Sequence, residues 1–182
     1  MATKPADPKV FEVYVASKHP SGTPERDELE NADSVEDRGS TVFHRENDEP
    51  GVYDYQIKGF FKDACGALRR ADDTLSKDLK AYKSVIDGVV FVNPRFLLFR
   101  MPEGSVVGVC ERPIMTQSAK GPRVALARSE SVPVGTTLEF EVQLLAKATL
   151  PLVKEWLNYG ALRGLGAWRN SGRGRFSWEK IS

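Results

Sequence analysis

Sulfur and imidazole are scarce in this chain, which has two cysteines, three methionines and two histidines among 182 residues. Cys65 and Cys110 lack the paired spacing of a thiolate metal site and the density of a disulfide scaffold. Cys65 sits among small and apolar residues and reads as a packed thiol rather than a nucleophile. Long apolar runs are missing too. The longest, Val89–Val92 and Phe96–Phe99, are far too short to cross a bilayer. The opening MATKPADPKV has no apolar core of a signal peptide, so a cytoplasmic location without a membrane partner is expected. No excess of one charge exists either: the formal net charge is +1, which excludes a global field drawing the chain to nucleic acid. Nothing in this composition calls for a cofactor or a metal.

The charge that is present is unevenly placed. Between Glu25 and Asp54 acids far outnumber bases, whereas Arg163 to Lys180 is basic with one acid, Glu179. Within that basic part lies LNYGALRGLGAWRNSGRGRFSW, residues 157–178, with five glycines, four arginines and two tryptophans. Glycine frees the backbone for positive φ and close approach, and arginine adds a fixed charge with a fork of donors. The stretch therefore suits contact with an anionic polymer. It equally suits a helix C-cap followed by a hairpin into a last strand.

Read in order, Val10 to Ala16 alternates as a strand. His19 to Asp54 is poor in apolar residues and rich in turn formers and acids, with a short strand expected at Ser40 to Phe43. Tyr55 to Ala71 carries Ile57, Phe60, Phe61, Ala64 and Leu68 at helical spacing. Asp72 to Lys83 is a weaker helical piece. Strands are expected at Val85 to Val92, Phe96 to Phe99, Val106 to Cys110, and on both sides of an exposed tip, Ser118 to Pro122, that bears Lys120 beside Arg123. Thr136 to Leu145 alternates most clearly of all. Pro151 opens a helix running to Tyr159, and Arg175 to Ile181 closes as a strand. This order gives an α+β fold of ferredoxin-like, RRM-like βαββαβ type, with an antiparallel sheet and two helices on one face. The expected organisation is a single domain over 1–182, with 19–54 as a long acidic insertion and 102–134 as a hairpin insertion.

Tyr55-Gln56-Ile57-Lys58-Gly59-Phe60-Phe61-Lys62-Asp63-Ala64 through Leu68-Arg69 resembles the helix-opening motif of the RAMP superfamily, the CRISPR-associated RNA-binding proteins. Gly135 to Leu145 resembles a strand motif of that family. The helix Leu150 to Tyr159, followed by Gly164-Leu165-Gly166 and Arg173-Gly174-Arg175-Phe176, resembles its C-terminal glycine-rich loop. Lys58, Phe60 and Phe61 stand where the family has proline and serines, and the glycine loop is shorter.

The resemblance implies one of two chemistries: a backbone subunit stacked along guide RNA with other effector subunits or copies of itself, or an endoribonuclease. For RNA contact the expected residues are Lys58, Lys62, Arg69, Arg163, Gly164, Gly166, Trp168, Arg169, Arg173 and Arg175. Trp156 and Trp178 are expected in the core, leaving Trp168 exposed to stack on a base. For cleavage the candidates are His44, beside Arg45, as general base and a loop aspartate, Asp33 or Asp37. A third expectation is a mobile-element-encoded interaction protein that engages or mimics a CRISPR complex. The near-neutral charge and the acidic insertion favour it over a tight RNA binder.

Overall fold

Tyr53 is the last extended residue before the main helix, and its backbone N–H donates to the Gln56 side chain at 2.8 Å, one half of a capping box. The computed structural model describes residues 4–5, 40–118 and 121–181, with side chains at 40–113 and 127–181. The expected strand Val10 to Ala16, the acids Asp33 and Asp37, and His19 and Lys120 lie outside the described residues or side chains. Among the described residues the fold is mixed α+β, with three helices and small sheets that are antiparallel except for one parallel strand pair. It divides into two compact units, one of His44–Met101 with Gly135–Ser182, the other of Ala2–Phe43 with Pro102–Val134.

In the first unit, β3 (His44–Glu46), β4 (Glu49–Tyr53) and β6 (Phe96–Leu98) form an antiparallel sheet with β4 in the middle. A second ladder pairs β5 (Val90–Asn93) with β9 (Glu141–Leu144), and Arg100 pairs with Thr137 through two backbone bonds of 2.9 Å. The helices are α1 (Asp54–Leu68), α2 (Tyr82–Val89) and α3 (Leu150–Arg163). The helical crossover from β4 returns to an antiparallel neighbour, β6. Within the stretch expected to be an insertion, Glu49–Tyr53 thus supplies a central strand.

The core lies between this sheet and the helices. Val52, Val90, Val92 and Leu97 meet Ile57, Phe60, Phe61, Ala64 and Cys65 of α1, Ile86 of α2, and Val153 and Trp156 of α3. Phe61 and Trp156 are wholly buried with rings 5.6 Å apart, so truncating either to alanine would cost about 3–5 kcal/mol. A polar tie closes the helical side. The Glu155 carboxylate accepts from the Leu75 and Ser76 N–H groups at 2.7 and 3.1 Å and from Ser76 Oγ at 2.5 Å, while Trp156 Nε1 donates to Ser76 Oγ at 2.9 Å. This carboxylate caps the 3-10 turn Leu75–Asp78, which stands where the weaker helical piece was expected.

Two expectations are corrected. Val85 to Val92 is not one strand: helix α2 runs through Val89 and only 90–93 is extended. Ile86 and Val90 are buried in both alternatives, so a short apolar run does not reveal its period. Arg175 to Ile181 is not a strand either. Phe176 packs instead on the helices, its ring 5.6 Å from that of Phe60, and Trp178 Nε1 donates to Asn158 Oδ1 of α3 at 2.8 Å. A side chain at Gly160 would collide with Phe176 and come within 2.9 Å of Phe60, which explains a glycine inside α3.

In the second unit, β7 (Gly108–Ser118) and β8 (Gly121–Ser131) form a long antiparallel hairpin. Its sheet has the order β1-β2-β8-β7, with β1 (Lys4–Pro5) antiparallel to β2 (Ser40–Val42) and β2 parallel to β8. Thr41 Oγ1 donates to the buried Ser129 Oγ at 2.8 Å, and Phe43 N–H to Glu130 Oε2 at 2.7 Å. From Arg112 to Arg128 the sequence has four cations and no carboxylate.

Candidate nucleic-acid interface

Helix α3 ends at Gly164, whose φ of +84° releases the chain from the helix while its N–H still reaches Gly160 O at 2.8 Å. The loop that follows closes on itself. Leu165 N–H donates to Gly174 O at 2.8 Å. A side chain on Gly164 would strike Arg173 O and sit 2.9 Å from Arg175 N, and one on Gly174 would strike Leu165 O. Both positions have positive φ. Gly164 and Gly174 are glycines because backbone crosses backbone there. Between the crossings lie Gly166 at φ +85°, Trp168 at φ +56° and a single 3-10 turn, Arg169–Ser171. Trp168 is half-buried rather than fully exposed.

The four arginines separate into two pairs. Arg169 Nη1 lies 2.7 Å and Arg163 Nε 3.8 Å from the same oxygen, Asp63 Oδ2 on α1. Arg163 also donates to Asn170 Oδ1. These contacts hold the loop against the helix. Arg173 and Arg175 are exposed and make no ion pair among the described residues. The Arg175 guanidinium lies alongside Gly172, 3.7 Å from the place a Cβ would occupy. Two of the four guanidinium groups therefore share one carboxylate, and the charge of the other two sits on a loop closed by its own backbone.

The cations of α1 are arranged differently. Lys62 Nζ lies 2.6 Å from Asp87 Oδ1, and Lys58 Nζ lies 3.9 Å from the same atom and donates to Asp87 O at 3.2 Å. Lys58 also stands 5.2 Å above the Phe91 ring. Arg69 stands 5.1 Å over the Tyr82 ring, with its Nε buried and without a hydrogen-bond partner among the described residues. These three residues belong to α1 and its end, and their partners here are Asp87, Phe91 and Tyr82 rather than residues of the loop.

His44 lies on β3, half-buried, with its ring 4.9 Å from that of Tyr53 in edge-on contact. Among the described residues no three His, Cys, Asp or Glu side chains gather as metal ligands. Cys65 is fully buried, and burial pushes its thiol above the usual value, which suits packing and disfavours the thiolate. No helix among the described residues is long and apolar enough to cross a membrane.

The sequence reading missed Asp63 and Asp87, each of which gathers two cations from the expected set. Asp63 was legible, because it lies inside the basic helix-opening motif as its one acid. Asp87 was hidden inside a run read as strand. Compared with protein-family models and with curated proteins, the chain has no significant match.

Proposed function

We propose that the chain is a non-catalytic RNA-binding subunit of a CRISPR-type ribonucleoprotein effector, holding guide RNA by its phosphates beside other effector subunits or copies of itself. The observation that carries this reading is the C-terminal loop, where Arg173 and Arg175 stand exposed on a backbone closed by Gly164 and Gly174. Guanidinium forks on a fixed support lose little freedom when they meet phosphate oxygens. The order of RAMP-like motifs supports the particular assembly, and a ferredoxin-like βαββαβ path and cytoplasmic location belong to the same proposal.

Fluorescence anisotropy with a short unstructured RNA, at salt between about 50 and 200 mM, tests it. Binding is expected to weaken steeply with salt. The double change Arg173→Ala and Arg175→Ala is expected to reduce the slope of log K against log salt by about 1.4, two phosphate contacts on a single strand. No binding at the lowest salt would overturn the proposal.

Charge balance favours a second reading, an interaction protein that engages or mimics such a complex. Asp63 and Asp87 each offset part of the local charge, and the net charge is only +1. Purification from native cells separates the two. A large particle dispersed by ribonuclease supports the RNA subunit, and a ribonuclease-resistant protein complex supports the interaction protein. An endoribonuclease using His44 would cleave RNA and lose that activity in His44→Ala.

A further inference from the structure

An aromatic cluster surrounds the entry to α1, and none of it belongs to the arginine loop. Tyr53, at the end of β4, and Tyr55, in the first turn of α1, stack with ring centroids 5.4 Å apart and planes 15° apart. Two edge contacts lock the inner ring. His44 of β3 meets Tyr53 at 4.9 Å and 68°, and Phe96 of β6 meets it at 5.0 Å and 70°. The strand register produces this arrangement, since Tyr53 lies opposite Phe96 and His44 lies opposite Gly51. Gly51 has no side chain, and the Phe96 ring fills the space one would take, 2.8 Å from its Cβ position.

The outer ring is open. Tyr55 is 50% exposed, although it stacks on a ring held from both neighbouring strands. Beside it stands Arg95, whose guanidinium is 5.9 Å from the Tyr53 centroid and whose side chain is 75% exposed. Asp54 Oδ1 engages one nitrogen of that group at 3.4 Å, a long contact that leaves most of its five donors facing outward. Burial, and then the neighbouring Tyr53, push the Tyr55 hydroxyl above its usual value, so the phenol stays neutral at physiological pH. An exposed flat ring, a rigid ring behind it and a cation at its side match a planar base tethered to a phosphate.

We infer that Tyr55, backed by Tyr53, is a stacking platform for one base of a single-stranded nucleic acid, with Arg95 on the adjoining phosphate. This rests on the RNA-binding reading and adds a base contact to it. Tyr55 and Asp63, the anchor of the arginine loop, are on the same helix, eight residues apart. That spacing is about 12 Å along the axis.

The test compares an oligoribonucleotide with an abasic strand of the same length, by anisotropy on the full chain at low salt. The wild-type protein is expected to bind the intact strand more tightly. Tyr55→Ala is expected to weaken binding of the intact strand about 5- to 100-fold and to leave the abasic strand unchanged. Tyr55→Phe keeps the ring and should bind as wild type. Arg95→Ala should weaken both strands. Equal loss on both strands in Tyr55→Ala, or no loss, overturns the stacking platform while leaving the RNA subunit standing. Absence of binding to either strand overturns both. Thermal melting checks the variants, and the half-exposed Tyr55 leaves the core intact when truncated.

Discussion

On α1, Lys58 and Lys62 converge on one carboxylate, Asp87. At the C-terminal loop Arg163 and Arg169 converge on one carboxylate in the same way, Asp63, but Arg173 and Arg175 stand beyond it. The two regions are similarly basic in sequence. They differ in what each acid does. Asp87 offsets the lysines of a helix face, while Asp63 anchors a loop and leaves its outer cations to solvent. A cation is therefore worth reading as an anion contact only after its intramolecular partner is known, because exposed pairs are screened and weak while unpartnered groups keep their full charge.

The contrast can be broken most forcefully at the crossing of the loop. Gly174→Val puts a branched side chain at φ +73° against Leu165 O. Strain and overlap together should cost about 3 kcal/mol or more, read as a lower urea midpoint, and RNA affinity should fall with it. An unchanged midpoint would mean that the loop does not depend on this crossing. Next in size is a comparison of double variants. Arg173→Ala with Arg175→Ala should weaken RNA binding about tenfold or more at low salt, and Lys58→Ala with Lys62→Ala should weaken it by less than half as much on a logarithmic scale. Equal losses would erase the distinction between the two regions. Asp63→Asn should lower stability by about 1 kcal/mol, because it loosens two arginines at a partly exposed site where solvent screens the pair. The smallest effect is expected for Asp87→Asn: stability within about 0.5 kcal/mol of wild type, and RNA affinity raised about twofold as the two lysines lose their acid. A fall in affinity there would show that Asp87 orients the lysines rather than masking them.

Much of the fold was legible where the hydrophobic period is long. Ile57, Phe60, Phe61 and Ala64 mark α1 over about two turns, and the helix forms within a few residues of the expected bounds. Pro151 marks the start of α3, but its end was read four residues early, because Gly160 looked like a terminator. That glycine is instead required by the rings of Phe60 and Phe176. Of the strand expected over Thr136 to Leu145 only 141–144 forms, with Val142 and Leu144 more buried than Glu141 and Gln143, while Thr137 makes an isolated bridge to Arg100. Phe176 and Trp178 alternate as clearly, yet Phe176 packs on Phe60 of α1 and Trp178 bonds Asn158 of α3 instead of joining a sheet. The arginine loop was visible as a composition. Its division into two anchored and two exposed guanidinium groups was not, because Asp63 is about a hundred residues away in sequence.

The identity of the long helices α1 and α3, their apolar faces and the concentration of arginine and glycine near the end are properties of local sequence, since each depends on neighbours within a turn or two, whereas α2 emerged only in the fold. Which strands pair, why Gly164 and Gly174 are glycines, and which cations keep their charge were decided only by the folded chain. Those outcomes depend on contacts between residues far apart along the backbone: a carboxylate on α1 meeting a loop after α3, and a carbonyl at Leu165 occupying the space a side chain at Gly174 would need.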